Sequence, residues 1–120
     1  MNYVTALLQI VDQLQVYHWQ TKSYARHKAL GKIYEGVSDL VDDFVEISMG
    51  KHGRFVLDKG DRIELSNISD SNLEAFVERT IRFLLDLNKQ LDPTTDSDLL
   101  NIRDDMLGQF NRLKYLLTLS

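Results

Sequence analysis

The stretch from Tyr24 to Met49, YARHKALGKIYEGVSDLVDDFVEISM, carries the pattern from which the fold of this chain follows. Its apolar residues recur every three or four positions, which is the period of one face of an α-helix. They are Leu30, Ile33, Val37, Leu40, Val41 and Phe44. The stretch therefore predicts one long amphipathic helix over about residues 24–49, with Gly50 as the helix stop.

Three other stretches repeat this period and predict helices over about residues 3–21, 71–91 and 97–118. Ser71-x-x-Glu74 has the form of a capping box for the third helix, and Pro93, the only proline, ends it. Four helices of this length with short connections at both ends predict an all-α fold, an antiparallel four-helix bundle.

Residues 50–69 interrupt the helical pattern with Gly50, Gly53 and Gly60. Phe55-Val56-Leu57 and Ile63-Glu64-Leu65 are expected to be short extended pieces packed on the bundle. This long loop lies between helices two and three, and ferritin-like bundles have their long crossover at the same place. Residues 1–120 show no internal repeat or linker, which predicts a single domain.

Composition excludes several classes of function. The 120 residues contain no cysteine, so disulfides, zinc fingers and iron–sulfur clusters are excluded. The net charge is −4 and no Lys/Arg-rich tail is present, which argues against nucleic acid as a partner. No apolar run reaches the roughly 20 residues that span a bilayer, so no membrane is expected. The N-terminal residues lack the pattern of a signal peptide, which predicts a cytoplasmic protein.

Histidines and carboxylates are the residues that could carry chemistry. Glu35, Asp39, Asp42 and Glu46 fall in one arc of the second helix. Such an arc is usually a solvated face, but like charges at this spacing repel, and a cation or a basic partner would relieve the repulsion. His18 continues the apolar stripe of the first helix, where a histidine is either a core residue or a ligand. Imidazole with carboxylate suits iron or zinc.

Together these residues resemble the Dps-type miniferritins of the ferritin-like superfamily. The run has His18-Trp19, then Tyr24-x-x-His27, then Asp42-x-x-x-Glu46, with fifteen residues from His27 to Asp42. The resemblance covers about residues 14–46 and, more weakly, 95–118. That family forms ferritin-like bundles that oxidise and store iron in hollow oligomers. The chain departs from the family pattern, which implies a divergent, uncharacterised and phage-associated branch with the run His18 to Tyr24 as a motif of its own.

The resemblance implies an iron site between two subunits. His18 and His27 would come from one chain, and Asp42 and Glu46 from its two-fold mate. Asp39 or Asp43 would hydrogen-bond these ligands or line the entry path. It also implies a homodimer or larger homo-oligomer, iron as the metal (with zinc or no metal as alternatives) and a ferroxidase reaction. Gly31 stands where the family has a further carboxylate, so the implied site is open or mononuclear.

A second interpretation needs no metal. The chain is then a non-catalytic oligomeric helical scaffold, or a protein-interaction module, with a vestigial metal site. In this interpretation His27 forms a hydrogen-bonded salt bridge across the subunit interface with Asp42 and Glu46.

Overall fold

The computed structural model describes residues 3–119 and contains four α-helices. These are α1 (Tyr3–Gln20), α2 (Tyr24–His52), α3 (Asp70–Asp86) and α4 (Ser97–Leu117). A short 3-10 helix, Leu87–Lys89, follows α3 directly. No strand occurs within residues 3–119. The predicted all-α class is therefore confirmed.

Side-chain contacts define the direction of each helix. The α1 and α2 helices are antiparallel, because the ring of Tyr3 lies against Phe44 while His18 lies against His27. The α4 helix is antiparallel to both α2 and α3, and α2 and α3 point the same way. The contacts that establish this are His52–Asp96 and Gly36–Gln109 for α2 with α4, and Glu78–Lys114 and Leu84–Arg103 for α3 with α4.

The crossover of residues 53–69 connects the end of α2 to the start of α3 by running along α1. Glutamine side chains of α1 hold its second half through main-chain hydrogen bonds. Gln9 accepts from the Glu64 amide, Gln13 bonds the amide and the carbonyl of Ser66, and Gln20 accepts from the Ile68 amide. The extended pieces expected at 55–57 and 63–65 form no strand, and their side chains are exposed.

The core lies among the four helices and takes up the apolar stripes. The edges and faces of Tyr17, Phe76 and Phe110 pack in sequence from α1 through α3 to α4. The fully buried side chains around them include Leu7, Leu14, Leu30, Ile33, Phe44, Leu84, Leu99, Met106 and Leu113. Within residues 3–119, no helix combines the length and the apolar character needed to cross a bilayer.

Two predicted helix ends are wrong. The α2 helix does not stop at Gly50 but continues to His52. Gly53 ends it, because this residue adopts a positive φ of 87° and its amide bonds the Met49 carbonyl. At the start of α3 the cap is Ser69 rather than Ser71. The Ser69 hydroxyl accepts from the Asn72 amide, which places Ser71 inside the helix.

The regular part of α3 also ends earlier than Pro93 suggests. The Leu84 carbonyl accepts a hydrogen bond of 2.9 Å from the guanidinium of Arg103, a buried residue of α4. The amide of Leu87 bonds the same carbonyl, three residues back, which is the 3-10 pattern. A contact with α4 therefore accompanies the tightening of α3 at this point.

Asp96 joins the end of α2 to the start of α4, and replacing it should destabilise the fold. The Asp96 carboxylate is buried, lies 3.2 Å from Nε2 of His52 and accepts from the Asp92 amide. We expect Asp96→Ala to lower the free energy of unfolding by about 1–3 kcal/mol, because it removes two hydrogen bonds of a buried carboxylate, each worth roughly 0.5–1.5 kcal/mol. Urea unfolding measures this. Asp98→Ala, which removes a half-exposed partner of Lys51, is the control and should cost much less. Equal losses of unfolding free energy in Asp96→Ala and Asp98→Ala would contradict this role of Asp96.

Candidate metal centre and its surroundings

His18 and His27 form a reciprocal pair at the α1–α2 corner. Ser23 caps α2 by accepting from the Arg26 amide, which starts the helix so that His27 lies in its first turn. The two imidazole rings stack with centroids 3.9 Å apart and planes 16° apart. Nδ1 of His18 lies 2.7 Å from the His27 carbonyl oxygen, and Nδ1 of His27 lies 2.8 Å from the His18 carbonyl oxygen.

This bonding selects the tautomer of both rings. A carbonyl oxygen only accepts, so each Nδ1 must carry the hydrogen. In the neutral rings the lone pair is then on Nε2 of each histidine, and no hydrogen bond within residues 3–119 uses either Nε2. Metal-binding histidines commonly have this arrangement, with the second ring nitrogen donating to a carbonyl. The pair can therefore offer two oriented nitrogen donors.

Gly31 is the reason that His18 can occupy this position. A Cβ added at residue 31 would lie 2.7 Å from Cε1 and 2.9 Å from Nδ1 of His18. The His18 ring therefore fills the space that a side chain at position 31 would need. The missing carboxylate at Gly31 and the placement of His18 are thus one structural feature of this chain.

The predicted carboxylates lie elsewhere on α2. Asp39, Asp42, Asp43 and Glu46 are all exposed. Asp42 follows His27 by fifteen residues, roughly 22 Å along a helix that rises 1.5 Å per residue. Within residues 3–119, no group of three or more His, Asp or Glu side chains is placed to hold a metal ion. One chain thus brings His18 and His27 together but not the carboxylates, whose approach from a second chain stays a prediction.

Asp42 influences the protonation of Glu46 on the same face of α2. The pKa of Glu46 is raised, first by a hydrogen bond with the Asp42 side chain and then by the charge of Asp42, with smaller effects of desolvation and Asp43. When Glu46 is protonated, it can share its proton with the Asp42 carboxylate, and this hydrogen bond stabilises the protonated form of Glu46. A divalent cation or a basic partner could replace that proton.

Replacing Asp42 should therefore return the Glu46 pKa to its ordinary range. Because the folded pKa is raised, the pair contributes stability below the ordinary carboxyl pKa and loses it as pH rises through the raised value. At neutral pH the two carboxylates repel each other. We expect Asp42→Asn to lower the Glu46 pKa in an NMR titration of the side-chain carboxyl carbon. Asp39→Asn is the control and should leave it in place, whereas an unchanged pKa in Asp42→Asn would exclude this coupling.

A cavity of about 570 Å³ opens beside the histidine pair. Its charged and titratable lining residues are His18, His27, Lys28, Lys32, Glu35 and Arg112. The sequence interpretation missed the three cations. Arg112 belongs to α4 and reaches the cavity only through packing. A signal was present for the other two, since no Asp or Glu occurs between residues 13 and 34.

Comparisons with known proteins place the chain in a family and beside one phage protein. The model of a family of unknown function, DUF5856, matches residues 18–117. The chain is similar to the "Uncharacterized 14.6 kDa protein in mobD-ri intergenic region" of Enterobacteria phage T4. They are 35% identical over 122 aligned residues, covering 98% of this chain and 87% of the relative. No solved structure matches. The phage source of the relative agrees with the expected phage-associated branch, while the Dps-type likeness stays a prediction.

Proposed function

This chain belongs to the DUF5856 family of unknown function, and we propose that it is a ferritin-like bundle that binds iron between two copies of itself. His18 and His27 of one copy supply nitrogen ligands, and Asp42 and Glu46 of the other supply oxygen ligands. Asp39 and Asp43 hydrogen-bond these ligands or line the entry path. Fe(II) is the substrate, and its oxidation by oxygen or peroxide is the reaction of such a site, with zinc as the alternative metal.

The helix order supports the ferritin-like part of the proposal. One long crossover links α2 to α3, and the other connections are short. The helices α1 and α4 point one way and α2 and α3 the other. Ferritin-like bundles have one long crossover of this kind, which distinguishes them from bundles with only short loops.

The observation that carries the metal site is the pair of Nε2 atoms presented by His18 and His27. Both rings are held by a reciprocal hydrogen bond and by stacking, so their orientation is set before any metal arrives. Such preorganisation reduces the ordering that binding has to impose. Two nitrogen donors leave the remaining positions of a metal ion to oxygen ligands, which suits iron.

Charge explains why a second copy is needed. When both imidazoles are neutral, the lining of the cavity beside the histidine pair has a net charge of +2. Three cations, Lys28, Lys32 and Arg112, outnumber Glu35, and this net charge repels a metal cation. The exposed carboxylates Asp39, Asp42, Asp43 and Glu46 of a second copy bring −4. The two surfaces together leave two negative charges, which a divalent cation would neutralise.

An anaerobic Fe(II) titration tests the proposal. The wild type should saturate at a defined stoichiometry, and the variants His27→Ala and Glu46→Ala should each lose the site. His52→Ala is the matched control, because this histidine lies at the other end of α2 and bonds Asp96. Equal Fe(II) binding by the wild type and a His27→Ala/Glu46→Ala double variant would reject the proposed metal site.

Mixing the two single variants tests whether the site is shared between chains. In a two-fold dimer, a His27→Ala chain paired with a Glu46→Ala chain has one intact site and one doubly damaged site. Random pairing should therefore restore about a quarter of the wild-type sites. Binding in the wild type with no restoration in the mixture would place the ligands within one chain.

The same charges favour a second candidate function, a metal-free oligomeric scaffold. Lys28, Lys32 and Arg112 could pair directly with the carboxylates of a second copy. In that case Asp42→Asn/Glu46→Gln weakens the dimer in sedimentation experiments, and a chelator has no effect. Dimer stability that falls on chelation but not on these substitutions would reject the scaffold.

A further inference from the structure

We propose that the cavity beside the histidine pair binds a phosphate-type oxyanion through Lys28, Lys32 and Arg112. This inference goes beyond the proposed function, because it rests on the charges and shape of a single chain and requires no metal. It also gives a ligand to three cations that cannot themselves bind the metal.

The cations that line the cavity have no ion-pair partner in the part of the chain that the structure describes. Elsewhere Arg26, Lys51 and Lys114 each pair with a carboxylate at 2.8–3.2 Å. Lys28, Lys32 and Arg112 make no such pair within residues 3–119, although Lys28 lies over the Tyr24 ring at 5.9 Å from its centroid. With Glu35 also in the lining, the cavity carries a net charge of +2 in a chain whose net charge is −4.

Two helices deliver these cations to one place. Lys28 and Lys32 are one turn apart on α2, so they lie on the same face of that helix. Arg112 approaches from α4, which packs against α2. Arginine presents a planar set of N–H donors and lysine a point charge, and both groups bind phosphate oxygens well. An anion between the two helices could contact all three.

The histidine pair adds a polar contact of the right kind. With hydrogen on both Nδ1 atoms, each neutral ring can accept a hydrogen bond at Nε2. A singly protonated phosphate has both an O–H group for such a nitrogen and negatively charged oxygens for the cations. A carboxylate or sulfate lacks that O–H at neutral pH, so inorganic phosphate can use this contact and those anions cannot.

The size of the cavity bears on the source of the phosphate. Its volume of about 570 Å³ is within the usual range for small-molecule sites and exceeds what one phosphate ion fills. Leu116, Leu119 and Ala25 provide an apolar portion of the lining. The shared chemistry is the phosphate group, which could be free or carried by a small organic molecule.

Calorimetric titration of the metal-free full chain with inorganic phosphate at low ionic strength tests the proposal. We expect saturation at one phosphate per chain and a Kd about tenfold weaker in Arg112→Gln and in Lys32→Gln, since each removes a charge-assisted contact. Both residues are exposed, so these substitutions spare the core. Lys89→Gln, in the 3-10 helix that follows α3, is the matched control. Equal affinities in Arg112→Gln and Lys89→Gln, or no saturation, would overturn the proposal.

A parallel titration with adenosine monophosphate distinguishes the sources. Affinity at least tenfold above that of inorganic phosphate indicates an organic phosphate that uses the apolar wall, and equal affinities indicate the free ion. If neither binds, the proposal is wrong. The outcome is separable from the metal site, because the titrations contain no metal and His52→Ala, at the other end of α2, should bind phosphate like the wild type. Phosphate binding without Fe(II) binding would reject the proposed metal site and leave the phosphate site in place.

Discussion

Gly31→Ala should destabilise the protein by about 1–3 kcal/mol, although alanine is the better helix former by about 1 kcal/mol. The added Cβ would lie 2.7 Å from the His18 ring, and that ring cannot swing aside freely. Its displacement breaks the hydrogen bond to the His27 carbonyl and the stacking between the two rings. Urea unfolding followed by circular dichroism measures the loss.

A His18→Ala background reverses the sign of this effect. Without the ring, Gly31→Ala should stabilise the protein by up to about 1 kcal/mol through helix propensity. The double-mutant cycle thereby isolates the contact between residues 18 and 31. Gly31→Asp, which places a carboxylate where the Dps-type motif has one, should displace the ring even more and destabilise the protein further. A more stable Gly31→Ala in the wild-type background would show that the ring moves at no cost.

Gln13→Leu should lower the free energy of unfolding by about 2–4 kcal/mol, because it leaves two main-chain groups of Ser66 without their partner. The Gln13 amide is buried, donates to the Ser66 carbonyl at 2.9 Å and accepts from the Ser66 amide at 2.8 Å. Tyr17 binds the Ser66 hydroxyl at 2.6 Å but reaches neither main-chain group. The crossover should therefore detach locally from α1.

Hydrogen exchange measures that detachment directly. The Ser66 amide should exchange faster in Gln13→Leu, while amides in the middle of α4 keep their relative protection. Gln9→Leu is the control, since within residues 3–119 the Gln9 side chain bonds only the exposed Glu64 amide, and it should cost about 0.5–1.5 kcal/mol. Unchanged exchange at Ser66 would mean that the crossover is held by other contacts.

Helix formation could be predicted from the sequence because its cause is local. Stripes such as Val37, Val41 and Phe44 repeat at the helical period, and these residues are buried in the fold. The end of α2 shows the limit of the same reasoning. Gly50 and Gly53 are the same residue type and both are plausible helix ends in the sequence. Within residues 3–119, only Gly53 adopts the positive φ that ends the helix.

The candidate site divides in the same way. The spacing of His18, His27, Asp42 and Glu46 is readable along the chain, and so is the wide separation of the carboxylates from His27 on one helix. The helical periodicity does not predict the contact of the His18 ring with Gly31, the position of Arg112 at the cavity or the hydrogen bonds between Gln13 and Ser66. These contacts join residues that are 13, 53 or between 77 and 94 positions apart. They exist only after the helices pack, because packing, and not local conformational preference, decides which distant side chains share one space.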